Sequence, residues 1–283
     1  MNLKPSIYQG LPVALLTQHG KQDLVRPILE TTLGCHLIHT DGYDTDLLGT
    51  FTRDVARPGS QLEACRRKAR LGMALTGSTL GVASEGAFGP DPYTGWMAWD
   101  TEVLLWVDAT QGLEVIGMAQ GPAQSLHRVV STPEELLQFA AEARFPAHHL
   151  VLRPDHADHP DLYKDLSDED SLQRAFHAAR AASRSDRVFV ENDLRAHCNP
   201  TRQDIIRKAA HDLVQKLTSL CPQCHAPGYG IERKVPGLRC KTCGHPTRLP
   251  VADIWQCAVC AYQEDRETAH EWADPGQCDR CNP

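Results

Sequence analysis

The chain has 283 residues, of which 41% are hydrophobic and 23% are charged, and it carries a formal net charge of −7. This composition supports a sizeable buried core and excludes a disordered or collagen-like chain. The acidic balance provides no global basic field to attract a phosphate backbone, so nucleic-acid binding is not expected. Cysteine is distributed unevenly along the chain, because eight of the 11 cysteines fall between Cys221 and Cys281.

The sequence carries no signal for a membrane or for secretion. No apolar run approaches the roughly 18 residues that span a bilayer. The N-terminal segment has one lysine, an apolar stretch interrupted by Pro12 and no small-residue cleavage site. We therefore expect no membrane association and a cytoplasmic, reducing environment. In that environment paired cysteines are usually metal ligands rather than disulfides.

Strand-like and helix-like segments alternate through the first 200 residues, which predicts an α/β domain over residues 1–200. A hairpin inside this alternation makes the sheet mixed rather than purely parallel. A connecting helix is predicted over 201–220 and a small zinc-ribbon domain over 221–283. The predicted elements, in chain order, are strand 11–17, helix 23–32, strand 35–40, a loop over 41–59, helix 60–74, strand 80–84, hairpin strands 102–107 and 113–118, a helix from Thr132, strand 149–152, helix 167–182, strand 187–191 and helix 200–220.

Three local signals set the ends of these elements. Pro27 fits a helix only in its first turn, so the first helix is predicted to begin about four residues earlier. Ser60 and Glu63 form a capping box that opens the second helix. The apolar run 80–84 predicts a short central strand that ends in a glycine-flanked loop containing Glu85.

The cysteines near the C-terminus form four C-x2-C pairs. Two thiolates in one tight turn reach the same ion, and four thiolates complete a tetrahedral shell for Zn²⁺. The pairs are Cys221/Cys224, Cys240/Cys243, Cys257/Cys260 and Cys278/Cys281, which predicts two structural Zn²⁺ sites. We expect sequential pairing of these knuckles. A cross-brace, in which the first pair joins the third and the second joins the fourth, is the alternative.

The cysteine-rich tail is acidic, with seven Lys/Arg against eight Asp/Glu in residues 221–283. Each zinc tetrathiolate adds a charge of about −2, which brings the loaded tail to about −5. This charge disfavours binding to a phosphate backbone, so we expect a structural role or the docking of a protein partner. His225, His245 and His270 are expected to be bystanders, because the thiolates already complete both sites.

Polar residues of the N-terminal domain concentrate in three stretches at strand ends, where open α/β sheets place their sites. The first, 17–21, is a glycine-containing turn before a helix that suits an anion, and Lys21 adds a positive charge. The second joins the basic helix segment 66–70 to Glu85, a carboxylate placed to hold Mg²⁺ or to activate water. The third, 191–202, packs acids, bases and amides between a strand and a long helix.

Several of these segments resemble a known family. The segments that carry the resemblance are Leu16–Lys21 (LTQHGK), Lys68-Ala69, Thr76-Gly77, the strand VASEG and Arg195-Ala196-His197. They are similar to segments of the house-cleaning nucleoside triphosphate pyrophosphatases of the inosine triphosphatase-like fold, and VASEG is closest to the inosine/xanthosine triphosphatase branch. The chain also resembles uncharacterised bacterial proteins that join such a domain to a CPxC…CxxCG tail. The resemblance covers residues 12–120 and 187–208.

The resemblance implies a fold, a reaction and roles for individual residues. Lys21 and Lys68 would hold a triphosphate, Glu85 would hold Mg²⁺ with Glu63 or Asp41, and a bound water would attack to release pyrophosphate. Arg195 and His197 would face the base. The whole substrate-binding set is Gln18, Arg195, His197, Asn199 and Arg202.

Two other classes of function stay open. The N-terminal domain can be a non-catalytic module that senses a nucleotide or another anion, with the zinc tail as a docking element for a protein. The chain can also be a nucleic-acid-processing protein that uses its ribbons as a clamp, which the acidic charge disfavours.

The three remaining cysteines receive separate interpretations. Cys35 lies in a predicted strand and Cys65 on a predicted buried helix face, so both are expected to be small core residues. Cys198 lies beside His197 in the polar loop. Adjacent side chains rarely point the same way, so a thiol nucleophile is not expected there.

Overall fold

A computed structural model describes residues 6–18, 20–43 and 59–283 of the chain. The protein divides into two compact units, Met1–Val214 and Gln215–Pro283. The division falls within the last long helix of the chain. None of the helices in the described ranges is both long and apolar enough to cross a membrane.

A five-stranded mixed sheet forms the first half of the N-terminal unit. Side by side, its strands are β2 (His36–Thr40), β1 (Pro12–Leu16), β3 (Leu80–Pro90), β4 (Ala98–Asp108) and β5 (Leu113–Pro122). β1 pairs parallel with β2 and β3, whereas β3, β4 and β5 are antiparallel neighbours. The predicted α/β class with a mixed sheet and an inserted hairpin is therefore confirmed.

Two helices connect the parallel strands of this sheet. Helix α1 (Lys21–Leu33) joins β1 to β2, and helix α2 (Gln61–Thr76) precedes β3. The capping box of Ser60 and Glu63 that opens α2 is present in full, as predicted. Cys65 lies in the core beneath α2, together with side chains of β3 and β4. Cys35 is also buried, so both cysteines occupy the core positions expected of them.

A second, antiparallel sheet completes the N-terminal unit. Its strands lie in the order β6 (His127–Val130), β9 (Val188–Asn192), β7 (Leu150–Pro154) and β8 (Tyr163–Leu166). Helices α3 (Pro133–Glu142) and α4 (Glu169–Ala182) pack on it around a common apolar core. The sequence did not predict β6 and β8. Both are four residues long and bury only one side chain each, which leaves no alternating pattern to recognise.

The predicted start of the first helix and the predicted length of the central strand were wrong, and packing explains both. The two hairpin strands are also longer than predicted, at Ala98–Asp108 and Leu113–Pro122. Helix α1 begins at Lys21 and keeps Pro27 in its interior, because Val25, Leu29 and Leu33 bury a continuous face that outweighs the lost hydrogen bond. Strand β3 has 11 residues instead of five, because it pairs with β4 along its entire length. Glu85 consequently lies within a strand and not in a loop.

The last helix of the N-terminal unit, α5 (Pro200–Thr218), follows a single 3₁₀ turn at Ala196–Cys198. Asn199 accepts a hydrogen bond from the Arg202 amide at 3.0 Å and so caps α5. The C-terminal unit contains one antiparallel sheet, whose strands are β10 (Gly230–Pro236), β11 (Pro250–Gln256) and β12 (Gln263–Glu267).

Candidate functional site

The eight cysteines of the C-terminal unit form two groups of four. One contains Cys221, Cys224, Cys257 and Cys260, and the other contains Cys240, Cys243, Cys278 and Cys281. Four hydrogen-bond-length contacts join sulfurs of different knuckles, at 3.6–3.8 Å between Sγ atoms. A zinc–sulfur bond of about 2.3 Å places the corners of a tetrahedron about 3.8 Å apart. The donor set and its spacing therefore fit Zn²⁺.

Three of the knuckles share one backbone conformation. In the first, the Cys221 amide donates to the Ala226 carbonyl, and the His225 amide donates back to the Cys221 carbonyl. The knuckles at Cys240 and Cys257 repeat both bonds with the same spacing. The fifth residue of each turn has a positive φ: 60° at His225, 66° at Gly244 and 57° at Ala261. This local geometry presents two sulfurs on one side of the turn.

The sequential pairing of the knuckles was wrong, and the sheet of the C-terminal unit explains why. Gln256 at the end of β11 pairs with Gly230 at the start of β10, which brings Cys257 to the end of the sheet where the first knuckle lies. The second knuckle follows the opposite end of β10, where Cys240 bridges to Ala273 in the segment leading to Cys278. Antiparallel register thus selects the cross-brace.

Four thiolates per ion leave no position for water or substrate, so a zinc ion held by either group would be a closed, structural centre. Backbone amides support the charge of the thiolates. The amides of Gln223 and Val259 point at the sulfurs of Cys221 and Cys257, both at 3.4 Å. The Cys243 amide and its neighbour lower the pKa of Cys240 to about 7, which favours the thiolate that a metal requires.

A cluster of charged side chains lies buried in the N-terminal unit, and we call it the ion network. It joins α1, α2, β3, β4 and α5. Its members are Lys21, Lys68, Glu85, Asp100, Glu102 and Arg202, and Ser84 adds a hydroxyl. Four of them, Lys21, Lys68, Glu85 and Arg202, are among the residues that the sequence singles out.

Glu102 is the centre of the ion network. It is 0% exposed, and its carboxylate accepts a hydrogen bond from Arg202 Nε at 2.6 Å. The same carboxylate lies 3.6 Å from Lys21 Nζ. Lys21 also donates to the Ser84 carbonyl at 3.0 Å and to the Ser84 hydroxyl at 3.1 Å. Burial lowers the pKa of Lys21, which the neighbouring Glu102 partly offsets.

Glu85 belongs to the opposite face of the sheet. Gly86 lies opposite Glu102 in the β3–β4 pair, so Glu102 shares the face of Gly86 and Glu85 points the other way. There Glu85 forms an ion pair with Lys68 of α2. Gln61, at the start of α2, donates to the Glu85 carbonyl at 2.6 Å and fixes this part of the strand. The ion network therefore has a branch on each face of β3 and β4.

Asp100 is the most unusual member of the ion network. It is 1% exposed, and neither carboxylate oxygen has a hydrogen-bond partner among the described residues. It shares a face of β4 with Glu102, opposite Phe88, whose ring lies 5.6 Å from the Arg202 guanidinium. Burial and the nearby Glu102 charge raise the pKa of Asp100 to about 7.

We expect Asp100→Asn to raise the free energy of unfolding above pH 7. The pKa of about 7 in the folded protein exceeds the unfolded value of about 3.9. Between these two pH values the folded protein keeps a proton on Asp100 that the unfolded chain has lost. Wild-type stability then falls as the pH rises through that window, and the asparagine variant should lose this dependence and gain about 1–3 kcal/mol at alkaline pH. Urea unfolding at a series of pH values measures both quantities.

The exposed Asp158 provides the control, because Asp158→Asn should leave the pH dependence of unfolding intact. Parallel stability curves for wild type and Asp100→Asn would contradict the assignment of this proton to Asp100. The charged groups that face Asp100 are Glu102 of the same strand, Lys21 of α1 and Arg202 of α5.

The polar loop before α5 is held largely by its own contacts. Arg195 donates to Asp193 and, at 2.6 Å, to Asp165 Oδ1, so its guanidinium is occupied by two carboxylates. The Asn199 side chain donates to the Gln124 carbonyl at 3.0 Å in addition to capping α5. His197 lies next to the β1–α1 turn: a Cβ built on Gly20 would lie 3.5 Å from the His197 Cβ.

The other predicted site residues lie apart from the ion network. Gln18 is exposed just after β1, and Asp41 is exposed just after β2. Glu63 is exposed and accepts from the Ser60 amide at 2.7 Å, so its carboxylate serves the helix cap. His19 and most of the predicted loop 41–59, namely 44–58, lie outside the described residues.

Glu102 and Asp100 were not among the predicted site residues. Both lie in the segment WDTEVLLW; Glu102 begins the predicted first arm of the hairpin, 102–107, and Asp100 lies two residues before it. Their i, i+2 spacing places two acids on one face of the strand, which was the available signal. A buried face of that kind ordinarily carries apolar residues, so two acids there indicate a cationic partner in the core.

Carboxylates of the ion network do not form a ready metal cage. Within residues 6–18, 20–43 and 59–283, three groups of at least three metal-binding side chains converge. Two are the four-cysteine groups, and the third is Asp165, His197 and Cys198. In the described ranges, Glu85 therefore belongs to no group of three or more such side chains.

Fold and sites together define a mixed α/β protein with two C-terminal four-cysteine centres of the zinc-ribbon type. A model of the family DUF6671, described as a domain of unknown function, matches residues 68–283, and the chain belongs to this family. The match begins at Lys68 in α2 and includes both four-cysteine groups. A comparison with curated proteins gives no match.

Proposed function

We propose that the protein is a zinc-stabilised hydrolase whose N-terminal unit binds a nucleoside triphosphate and releases pyrophosphate with the help of Mg²⁺. The observation that carries this proposal is the convergence of Lys21, Lys68, Glu85 and Arg202 in the ion network. They come from four separate elements, and each belongs to a segment whose sequence suggested anion or metal chemistry. The zinc centres stabilise the C-terminal unit and take no part in the reaction.

Electrostatics support a bound anion at this place. Three basic side chains, Lys21, Lys68 and Arg202, pair with only two carboxylates, Glu85 and Glu102. The pKa of the third carboxyl group, Asp100, is raised. Burying so many charges is costly unless they are used, which favours a functional role over simple packing.

Lys68 and Lys21 are the groups through which a phosphate would enter. Their side chains are 14% and 9% exposed, against 0% for Glu102 and 2% for Arg202. Lys21 is the first residue of α1, so backbone amides at this helix N-terminus would also face the anion. A phosphate that pairs with Lys68 would release Glu85 from its present partner.

The residues present are compatible with Mg²⁺ at Glu85. Magnesium in phosphoryl-transfer sites is commonly held by one or two carboxylates together with substrate phosphate oxygens and water. The bound ion would supply neutralisation of the phosphate charge. Glu85 would hold it, while Lys21 and Lys68 would orient the phosphates, and Arg202 would keep Glu102 in place beneath them.

The fold supports the same proposal at the level of architecture. We propose that the β1–β5 sheet, with its parallel β2-β1-β3 segment and its long β3–β4–β5 meander, belongs to the inosine triphosphatase-like fold that the sequence resembles. In this fold assignment the β1–α1 turn and the carboxylate of β3 lie at one site. The shared position of Lys21 and Ser84 is consistent with it.

The second candidate function is a non-catalytic sensor of a nucleotide or another anion, with the C-terminal unit docking a protein. It is favoured by the pairing inside the ion network. Glu102 already serves both Lys21 and Arg202, and Glu85 already serves Lys68, so the cations are balanced without a ligand. In such a protein the bound anion would replace a carboxylate as the partner of a lysine or arginine, and the anion would not be chemically changed.

Release of pyrophosphate from a panel of nucleoside triphosphates, with zinc-loaded full-length protein and Mg²⁺, tests the proposal. We expect turnover of at least one nucleotide and a loss of kcat on the order of 100-fold or more in Glu85→Gln. Glu63→Gln is the matched control, since this exposed carboxylate serves the N-terminal cap of α2 and is not a member of the ion network.

Thermal unfolding with the same nucleotides separates the two candidates. Stabilisation by a nucleotide without pyrophosphate release identifies the sensor. If no nucleotide gives turnover and none stabilises the protein, both nucleotide functions are overturned.

A further inference from the structure

A third group of metal-binding side chains lies in the N-terminal unit and includes none of the cysteine knuckles. Asp165, His197 and Cys198 each offer one ligand atom, and these atoms all lie within 4.8 Å of one another. The imidazole and the thiol come from the 3₁₀ turn before α5, and the carboxylate comes from β8. His197 Nε2 lies 3.9 Å from Asp165 Oδ1.

The backbone holds Asp165 in an uncommon conformation to reach this place. Its φ is 64°, in the left-handed region that favours glycine. Strand β8 bulges here, because three steps along β8, from Tyr163 to Leu166, match two along β7. A bulge re-aims a side chain, and strain of this kind concentrates at functional sites.

Arg195 orients the carboxylate. Its guanidinium donates to Asp165 Oδ1 at 2.6 Å and also holds Asp193, in the manner of a charged group that supports a metal ligand from behind. The oxygen that Arg195 binds is also the one that lies 3.9 Å from His197 Nε2, so the carboxylate is held beside the imidazole.

The local charge is complementary to a dication. Asp165 and Asp193 outweigh Arg195 by one negative charge while the Cys198 thiol is protonated. Binding of a dication with release of the thiol proton to solvent brings the group to neutrality. A coordinating thiol loses its proton to the ion that it binds, so the dication would displace the proton of Cys198.

We propose that Asp165, His197 and Cys198 form a third metal site, which binds Zn²⁺ through one oxygen, one nitrogen and one sulfur. This mixed donor set suits a borderline ion such as Zn²⁺ and does not suit Mg²⁺. Three protein ligands leave a fourth position open, in contrast to the two four-cysteine centres. Asp165 and His197 are exposed, and His197 adjoins Gly20 in the β1–α1 turn, so the open position faces solvent beside that turn.

Metal content measures the proposal independently of any activity. We reconstitute the full chain anaerobically with Co²⁺, remove excess metal by dialysis and count the equivalents bound. We expect one equivalent more in wild type than in His197→Ala. The charge-transfer absorption of this additional Co²⁺ ion should be that of a single thiolate, weaker than for a tetrathiolate centre. This absorption should disappear in Cys198→Ala.

Matched controls keep the result interpretable. His156→Ala removes an exposed histidine from a different loop and should retain all equivalents. Asp165→Asn is a second, surface variant that should lose the same equivalent as His197→Ala if both fold as judged by circular dichroism. Equal metal content in wild type, His197→Ala and Asp165→Asn would overturn the third site, whatever the outcome of the nucleotide experiments.

Discussion

Cys257→Ser is expected to expose Cys221, Cys224 and Cys260 to alkylation while the other four-cysteine group stays protected. The three sulfurs share one metal with Cys257 in the cross-brace, so loss of one thiolate opens their site alone. A structural zinc contributes apparent binding free energies of about 10–16 kcal/mol in small zinc-finger peptides, so weakening one should destabilise much of the C-terminal unit. Mass spectrometry after brief alkylation of the folded, zinc-loaded protein measures the pattern.

Cys35→Ala is the control for this experiment, because it removes a buried cysteine that belongs to neither group. It should leave all eight ligands protected. Reactivity of Cys278 and Cys281 in Cys257→Ser, with Cys221 and Cys224 still protected, would contradict the cross-brace and restore the sequential pairing.

Gly86→Ala is expected to destabilise the N-terminal unit by about 3–5 kcal/mol, the cost of breaking a buried ion pair. A Cβ at this position would lie 2.6 Å from Arg202 Nη2 and closer still to Glu102 Oε1. Gly86 lies opposite Glu102 in the β3–β4 pair, and Glu102 is buried and ion-paired with Arg202, so moving the carboxylate aside breaks that pair. Urea unfolding monitored by fluorescence measures the loss.

Gly89→Ala provides a control from the same strand. No atom lies within 4 Å of a Cβ built there, so its effect on stability should be small. Equal stabilities of the two variants would show that the Glu102–Arg202 pair adapts to the methyl group and is not sterically confined.

Much of the architecture was predictable because its signals are local. The capping box at Ser60 and the Asn199 cap of α5 each occupy four consecutive residues, and the structure contains both. Strands β6 and β8 were not predictable, because each is short, mostly exposed and held by neighbours distant in sequence. The length of β3 was underestimated for the same reason, since its pairing with β4 extends it through two glycines.

The ion network was predictable only in part. Lys21, Lys68, Glu85 and Arg202 stood out as polar groups near strand ends or on a basic helix. Their convergence required the sheet order to be known. Asp100 and Glu102 lie in the middle of the chain's most regular hairpin, where an alternating pattern conceals which face is buried until α5 is placed over it.

In the C-terminal unit, the number of zinc sites follows from the local sequence, whereas the pairing of the knuckles depends on the tertiary structure. Eight cysteines in four C-x2-C pairs were sufficient to predict two tetrathiolate zinc sites, because each knuckle is a turn of about six residues whose geometry is local. Which knuckle meets which was decided only by the antiparallel register of β10 and β11, a contact between residues more than 20 positions apart. Local turns define the ligands, and long-range strand pairing defines the sites.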